Sequence, residues 1–424
     1  MNKEIIRKIV FMTARLAVGA LILVAIWSCA RVPGLHDESG GSYIRLPFVR
    51  VLLQENSPTV GLNPDGSYAV ECLTDTNQAV YFVSKPLTVR VMGRTLAVDY
   101  GNGKTIQEGL REVNIIPRGQ DSRTKFAGKQ YRGILKFLPS GQNVQVINVL
   151  YIEDYLRGVV PSEIGQRIEE EVEAVKAQAI AARTYAMRHL QQYAGEQYDL
   201  KSTVADQLYD GMGVEDKLVN KAIDATAGQV AMFQDAYINA YYHSTCGGMT
   251  DDIDQVWDRT ETPYLKAVAD SGACSWSKYY TWTETFTEPQ LRSKIEQYLS
   301  TDKGREIRIG PITDVIVRDR TAGGRINTLM IRTESDVYRF QKDQIRWATK
   351  RASNPDLILP SARFDVDVSR DAAGGVVSIT LKGRGYGHGV GMCQCGAIGL
   401  SRNGWKVDKI LAEYYKGVEL KKLY

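Results

Sequence analysis

What this chain lacks first is a charge imbalance. Its 424 residues carry 53 Lys and Arg against 49 Asp and Glu, a formal net charge of +4. No basic block stands out, so electrostatics makes no case for a nucleic-acid partner. A phosphate loop is missing too. Gly383 to Gly389 reads GRGYGHG and is glycine-rich, but it lacks the lysine and the serine or threonine that such a loop needs. There is no HExxH-type motif and no Ser-His-Asp pattern that reads as a triad. The amino-terminal apolar run, Leu16 to Trp27, is short for a membrane span and right for the apolar core of a signal peptide.

That run follows a basic start at Lys3, Arg7 and Lys8 and ends at Ser28-Cys29. A small residue followed by cysteine is similar to a bacterial lipoprotein signal, with cleavage before Cys29 and a lipid on that cysteine. Trp27 departs from the pattern, which leaves an uncleaved membrane anchor as the alternative. Either way the body is expected to be exported and membrane-anchored, and the favoured reading is a periplasmic or cell-surface lipoprotein. Residues 30–43, with Gly40-Gly41, read as a tether.

The hydrophobic fraction of 44% and the charged fraction of 24% are those of a globular body with room for more than one subdomain. From residue 44 to 149 the signals are short strands: Phe48–Leu53, Tyr68–Cys72, Leu87–Val91, Ile134–Leu138 and Val144–Val149. Turn chemistry such as Asn63-Pro64-Asp65-Gly66 separates them. The stretch Tyr151 to Leu190 is different. Ile168, Val172, Val175, Ala179, Ala182 and Ala186 recur at helical spacing on one stripe, with Glu169, Glu170, Glu171 and Glu173 at the start. Gln178 and Arg183 interrupt a run of small apolar residues, as expected of a helix that walls a site. Just upstream, Pro161 and Ser162 are read as opening a helix at Glu163; position alone favours a first-turn glutamate that complements the helix dipole, with a carboxylate facing a cleft as the alternative. Lys217–Ala227 reads as a short helix. Residues 275–365, with a helix over Pro289–Leu299 and strands near Ile312–Arg318 and Thr328–Arg332, read as an inserted α+β subdomain. The core then resumes over 366–424, with a strand near Val376–Leu381 and a packing helix over Val407–Tyr415. The expected class is α+β, with mixed sheets around a central helix.

Six cysteines are present: Cys29, Cys72, Cys246, Cys274, Cys393 and Cys395. With Cys29 lipidated, five remain, an odd number for a disulfide framework. Cys246 and Cys274 are the pair expected to form a structural disulfide in an oxidising compartment. The alternative is zinc on His243, Cys246 and Cys274, since imidazole and thiolate suit that ion. Cys393 and Cys395 alternate as on a strand, so they are poorly placed to bridge each other.

Three ordered blocks carry a family resemblance. YLRGVVPSEI, Tyr155 to Ile164, with EAVKAQAIAARTYA after it, is the first. YYHSTCGG, Tyr241 to Gly248, with Trp257 and Pro263-Tyr264-Leu265, is the second. GRGYGHGVGMCQCGA, Gly383 to Ala397, is the third. Together they resemble the SpoIID/LytB family of stage II sporulation protein D and the amidase enhancer. Gln207, Tyr209 and Gly211 match a Gln-x-Tyr-x-Gly element of the same family. The family more often carries serine and tyrosine where this chain has Cys393 and Cys395.

The resemblance implies a lytic transglycosylase that cuts peptidoglycan glycan strands stripped of their peptides, leaving 1,6-anhydro ends. Most glycosidases need two carboxylates, whereas this reaction needs one, acting first as acid and then as base. Carried over, that group is Glu163. Gln178, Arg183, Tyr185, Gln207, His243, Ser244, Tyr386 and His388 are the expected substrate-binding or charge-stabilising residues. No cofactor is expected beyond the zinc alternative. A competing reading makes the chain a non-catalytic enhancer that binds peptidoglycan and activates a cell-wall amidase. A third, a zinc hydrolase built on His243 and the cysteines, lacks a second confident histidine ligand.

Overall fold

The computed structural model describes residues 47–424, apart from 191 and 194. The expected signal, the lipid on Cys29 and the tether lie outside the described residues. Among the described residues no helix is long and apolar enough to cross a membrane.

Ten strands come first: β1 (Phe48–Ser57), β2 (Thr59–Leu73), β3 (Gln78–Val83), β4 (Leu87–Met92), β5 (Thr95–Tyr100), β6 (Thr105–Leu110), β7 (Glu112–Phe126), β8 (Lys129–Tyr131), β9 (Ile134–Ser140) and β10 (Asn143–Tyr151). Together with the short strand β11 (Leu200–Lys201) they form one sheet, ordered β11-β1-β10-β9-β7-β2-β4-β5-β6, with β3 on β2 and β8 on β7. All five strands read from the sequence are present. The turn expected at Asn63–Gly66 is not: those residues lie inside β2, which pairs with β7 on both sides of a register shift between Asp65 and Ser67. Long-range pairing with β7 outweighs the local turn preference, and Gly66, at φ +114, takes up the irregularity.

The chain passes from β10 straight into α1 (Ile152–Ile164). The expected helix start at Glu163 is therefore corrected: Glu163 sits in the last turn of α1, and Pro161 lies within that helix. Gly165, at φ +75, closes it, and its N–H donates to Pro161 O at 2.9 Å. A short 3-10 turn, Glu169–Glu171, precedes α2 (Val172–Arg188). Ile168, expected on the buried stripe, is exposed. From Ala177 to Ala186 every residue of α2 is buried, so the helix is enclosed on all sides. Its alanines allow close approach by α1 and by α3 (Lys217–Ala225), α7 (Gln394–Arg402) and α8 (Val407–Tyr414).

The remaining helices are α4 (Ile253–Val256), α5 (Glu288–Lys303) and α6 (Gln344–Thr349). A second apolar core, from Phe286 to Leu381, joins α5, α6 and the strands between Thr281 and Arg384. The expected inserted region thus has a core of its own, and that core takes in Phe364–Arg370 and Val376–Arg384, beyond the expected boundary at 365. The class is α+β, as expected.

Candidate functional site

Glu163 is half-buried at the carboxyl end of α1. The negative pole of a helix dipole disfavours a carboxylate there. Burial also pushes its carboxyl above the ordinary glutamate range, and the charge of Asp210 adds to this. Two donors oppose the shift without cancelling it: the Leu208 N–H, 2.9 Å from Oε1, and the Tyr242 hydroxyl.

A directed chain of hydrogen bonds stands behind that hydroxyl. Tyr155 Oη donates to Gln207 Oε1 at 3.2 Å, and Gln207 Nε2 donates to Tyr242 Oη at 3.0 Å and to Ala182 O at 3.3 Å. With the Gln207 amide so oriented, Tyr242 accepts from one side and directs its own proton to Glu163. Burial raises the Tyr242 and Tyr155 phenols well above their ordinary values, so both remain donors. On the other side of Glu163, Gln394 Nε2 donates to its carbonyl at 3.2 Å and to Gln178 Oε1 at 3.3 Å. Gln178 Nε2 is buried with no partner.

Local sequence explains how these parts meet. Gly158 in α1 leaves room for Tyr209: a Cβ there would lie 2.5 Å from Tyr209 Cε2. Tyr209 packs at a tilt against Tyr155 with ring centroids 5.1 Å apart and donates to Asn148 Oδ1 at 2.7 Å. That anchors the loop 202–211 against α1 and sets the Leu208 N–H on Glu163. Tyr242 comes from the two-residue strand Tyr242–His243, parallel to Met392–Cys393, which leads into α7 and Gln394. Gly385, Gly387, Gly389 and Gly391 all have positive φ, so the glycines of the third block wind the chain past residues 241–249 at close range.

Other carboxylates nearby are occupied. Asp210 is pushed up by its partial burial, but hydrogen bonds from Lys129 Nζ (2.6 Å) and Ser162 Oγ (2.9 Å) hold it below the usual carboxylate range. Asp206 accepts from Tyr185 Oη at 3.2 Å, Gln192 Nε2, Tyr193 Oη and the Lys201 N–H, the last three each at 2.8 Å. Glu163 is thus the raised carboxyl of this cluster, beside neighbours already committed to donors.

The sequence-expected residues divide. Gln178 and Gln207 reach Glu163 only through intermediaries, Gln178 through Gln394 and Gln207 through Tyr242. Tyr185 and the pair His388 and Trp257 flank Tyr241, which lies 6.3 Å from Tyr185, 6.4 Å from His388 and 5.2 Å from Trp257 between ring centroids. His388 accepts from the Val390 N–H at Nδ1 (3.0 Å) and faces Tyr242 O with Nε2 at 2.9 Å, so the ring is a neutral Nε2–H tautomer. Burial lowers its pKa to about 4. His243 is buried and held by Val390 O at 3.2 Å, and its Nε2 has no partner. Arg183 is fully enclosed, and its guanidinium is taken by Glu153 (2.8 and 2.7 Å) and Gln229 O (3.1 Å) rather than aimed at Glu163. Ser244 and Tyr386 sit beside Thr245: Ser244 Oγ is 3.3 Å from Thr245 Oγ1, and Tyr386 pairs with the Thr245 backbone and packs at a tilt on Tyr279, ring centroids 4.4 Å apart.

Sequence reasoning passed over Tyr242, Tyr155, Leu208 and Gln394. Tyr242 and Gln394 stood within the quoted blocks, next to residues chosen there; a backbone N–H such as that of Leu208 leaves no side-chain signal. The cysteines also differ from expectation. Cys246 and Cys274 are free thiols with Sγ atoms 3.5 Å apart, so the expected disulfide is not formed, and His243 is not part of the group around them.

The family model described as Stage II sporulation protein matches residues 140–233, which hold α1, α2 and the Gln207 loop. A domain of unknown function matches residues 273–391. The chain belongs to the SpoIID/LytB family. It is 31% identical over 374 residues to an uncharacterized protein of Brachyspira hyodysenteriae, spanning 88% of this chain and 92% of that protein. It is 29% identical to stage II sporulation protein D of Bacillus amyloliquefaciens, over 63% of this chain and 74% of the relative. To the amidase enhancer of Bacillus subtilis it is 27% identical, over 77% of this chain and 50% of the relative.

Proposed function

We propose that this protein acts on the bacterial cell wall as a lytic transglycosylase, with Glu163 as its single acid and base. The observation that carries this reading is the state of Glu163: a carboxyl raised by burial, steered by Tyr242 and the Leu208 N–H, among carboxylates that are already tied up. Protonated, Glu163 gives its proton to the glycosidic oxygen. As the bond to C1 breaks, the C6 hydroxyl attacks C1 and its proton passes to the Glu163 carboxylate. The product is a 1,6-anhydro sugar, and the enzyme is restored without water. Tyr242 steadies the carboxylate between the two proton transfers. Tyr241 and Trp257, both partly exposed, are aromatic rings of the kind on which sugar rings stack. The substrate is peptidoglycan glycan, and export with an anchor at Cys29 is the matching location.

The likeness to a protein named for enhancing an amidase supports a second reading, in which the chain binds peptidoglycan and activates a separate amidase. The mass of the products tests between them. Peptide-stripped glycan strands incubated with the full chain are expected to yield ends lighter by one water than hydrolytic ends. Intact strands, together with stimulation of an added cell-wall amidase, would support the enhancer instead.

A further inference from the structure

Cys246, Asp270, Cys274 and Cys393 come from three segments far apart in sequence, yet they converge. One ligand atom of each lies within 4.8 Å of every other, and all four residues are buried. The Cys246 and Cys274 Sγ atoms are 3.5 Å apart, and Cys246 Sγ lies 3.1 Å from Asp270 Oδ2. Four donors around one zinc at about 2.3 Å for sulfur and about 2.0 Å for oxygen would stand at edges of roughly 3.5–3.8 Å.

Backbone N–H donors face two of the three sulfurs, while Cys393 Sγ also lies 3.8 Å from Ser244 O. The N–H groups of Cys246 and Gly396 each donate to Cys393 Sγ at 3.2 Å, and the Gly248 N–H donates to Cys246 Sγ at 3.3 Å. The Cys274 N–H reaches Asp270 Oδ2 at 3.0 Å, and the Gly272 N–H reaches Oδ1 at 3.1 Å. Donors aimed at sulfur favour the charged form, and ligands held by outer hydrogen bonds are typical of built metal sites. Gly247 and Gly248, at φ +74 and +112, let the chain turn tightly enough behind Cys246 to present such a donor. A Cys246–Cys274 disulfide would leave Cys393 buried in the same cage with two N–H donors and no partner sulfur.

We propose that Cys246, Asp270, Cys274 and Cys393 bind one zinc ion as a closed structural site. Three soft sulfurs and one carboxylate select zinc over magnesium or calcium. Four protein donors leave no open position, so the ion joins segments and does no chemistry itself. What it joins matters for Glu163. Cys393 caps α7, accepting the Gly396 N–H, and the next residue, Gln394, holds the Glu163 carbonyl and Gln178. The zinc therefore fixes the position of Gln394.

The test is metal content of the full chain, purified in detergent under reducing, anaerobic conditions from zinc-supplemented cells. One zinc per chain is expected. Exchange with Co(II) is expected to give thiolate charge-transfer bands in the near ultraviolet and the intense visible bands of a tetrahedral site. Cys393→Ser and Asp270→Asn are expected to release metal to a chelator that the native protein withstands. Cys395→Ser, adjacent but outside the group, is expected to keep it. If a ligand variant does not fold, the cobalt spectrum of the native chain still decides. Zinc-free protein whose peptide map shows a Cys246–Cys274 disulfide would overturn the proposal, as would free thiols that give no charge-transfer band with Co(II).

Discussion

Arg183 offers the sharpest test of how the central helix is held. Its side chain is fully buried, and Glu153, its bidentate partner, keeps only 18% of its side-chain surface. Arg183→Met removes the charge and keeps most of the apolar stem. Breaking a buried pair from one side costs about 3–5 kcal/mol. Two facts place this pair at the lower end: Tyr424 Oη (2.6 Å) and the Gly228 N–H (3.2 Å) still reach Glu153. The Gln229 carbonyl loses its guanidinium donor, which adds about 1 kcal/mol. The expected loss is about 3–4 kcal/mol. For a body of this size it lowers Tm by on the order of 5 °C. The effect carries a pH signature. Burial pushes Glu153 up, but Arg183, Tyr424 and Gly228 outweigh it and hold its carboxyl below the ordinary range. The pair's contribution is then fully present above the unfolded value near about 4.3 and is lost as pH falls through the lower folded value. Native and variant proteins should therefore converge in stability in acid. Thermal and urea unfolding between neutral pH and acid make the check. A variant as stable as the native protein at neutral pH, but unable to bind glycan, would refute this account and return Arg183 to the substrate.

Three further outcomes follow from the geometry around Glu163. Tyr242→Phe removes a hydrogen bond that favours the carboxylate, so the Glu163 pKa rises further and the alkaline limb of the cleavage rate moves to higher pH; a pH profile of anhydro-product formation reads this, and a limb that moves down or stays put counts against the relay. Gly158→Ala gains about 1 kcal/mol of helix propensity but presses a methyl group onto the Tyr209 ring, an overpacking cost of about 1–3 kcal/mol. Because Tyr209 is pinned to Asn148, net destabilisation of about 1–2 kcal/mol is expected in urea unfolding, with weaker cleavage as Leu208 is displaced. Gln207→Leu leaves Tyr242 free to rotate away from Glu163, and a loss of cleavage larger than any loss of glycan binding is expected when the two are measured side by side.

Parts of this were legible in the sequence for physical reasons. The strands at Phe48, Leu87, Ile134 and Val144 announce themselves through β-branched and apolar side chains. Helix α2 does so through its alanines. Its full enclosure is less legible, because Gln178 and Arg183 look like a polar face until their partners, Gln394 and Glu153, are known from distant segments. The start of α1 is not legible locally, because Pro161 and Ser162 favour a helix start at Glu163. The junction with β10 at Tyr151 and the cap at Gly165 decide otherwise. The metal-type cluster was half legible: Cys246 and Cys274 stood out as a pair, whereas Asp270 and Cys393 join them only through the fold.

The central claim is that Glu163 performs chemistry. Glu163→Gln keeps the size of the side chain and can still accept the Leu208 N–H, but it has no transferable carboxyl proton. The full chain and this variant should be compared on peptide-stripped glycan strands, with products read by mass spectrometry and binding by sedimentation. The account predicts anhydro-ended fragments from the native protein, none from the variant, and retained binding by both. Anhydro fragments from the variant at the native rate would contradict it.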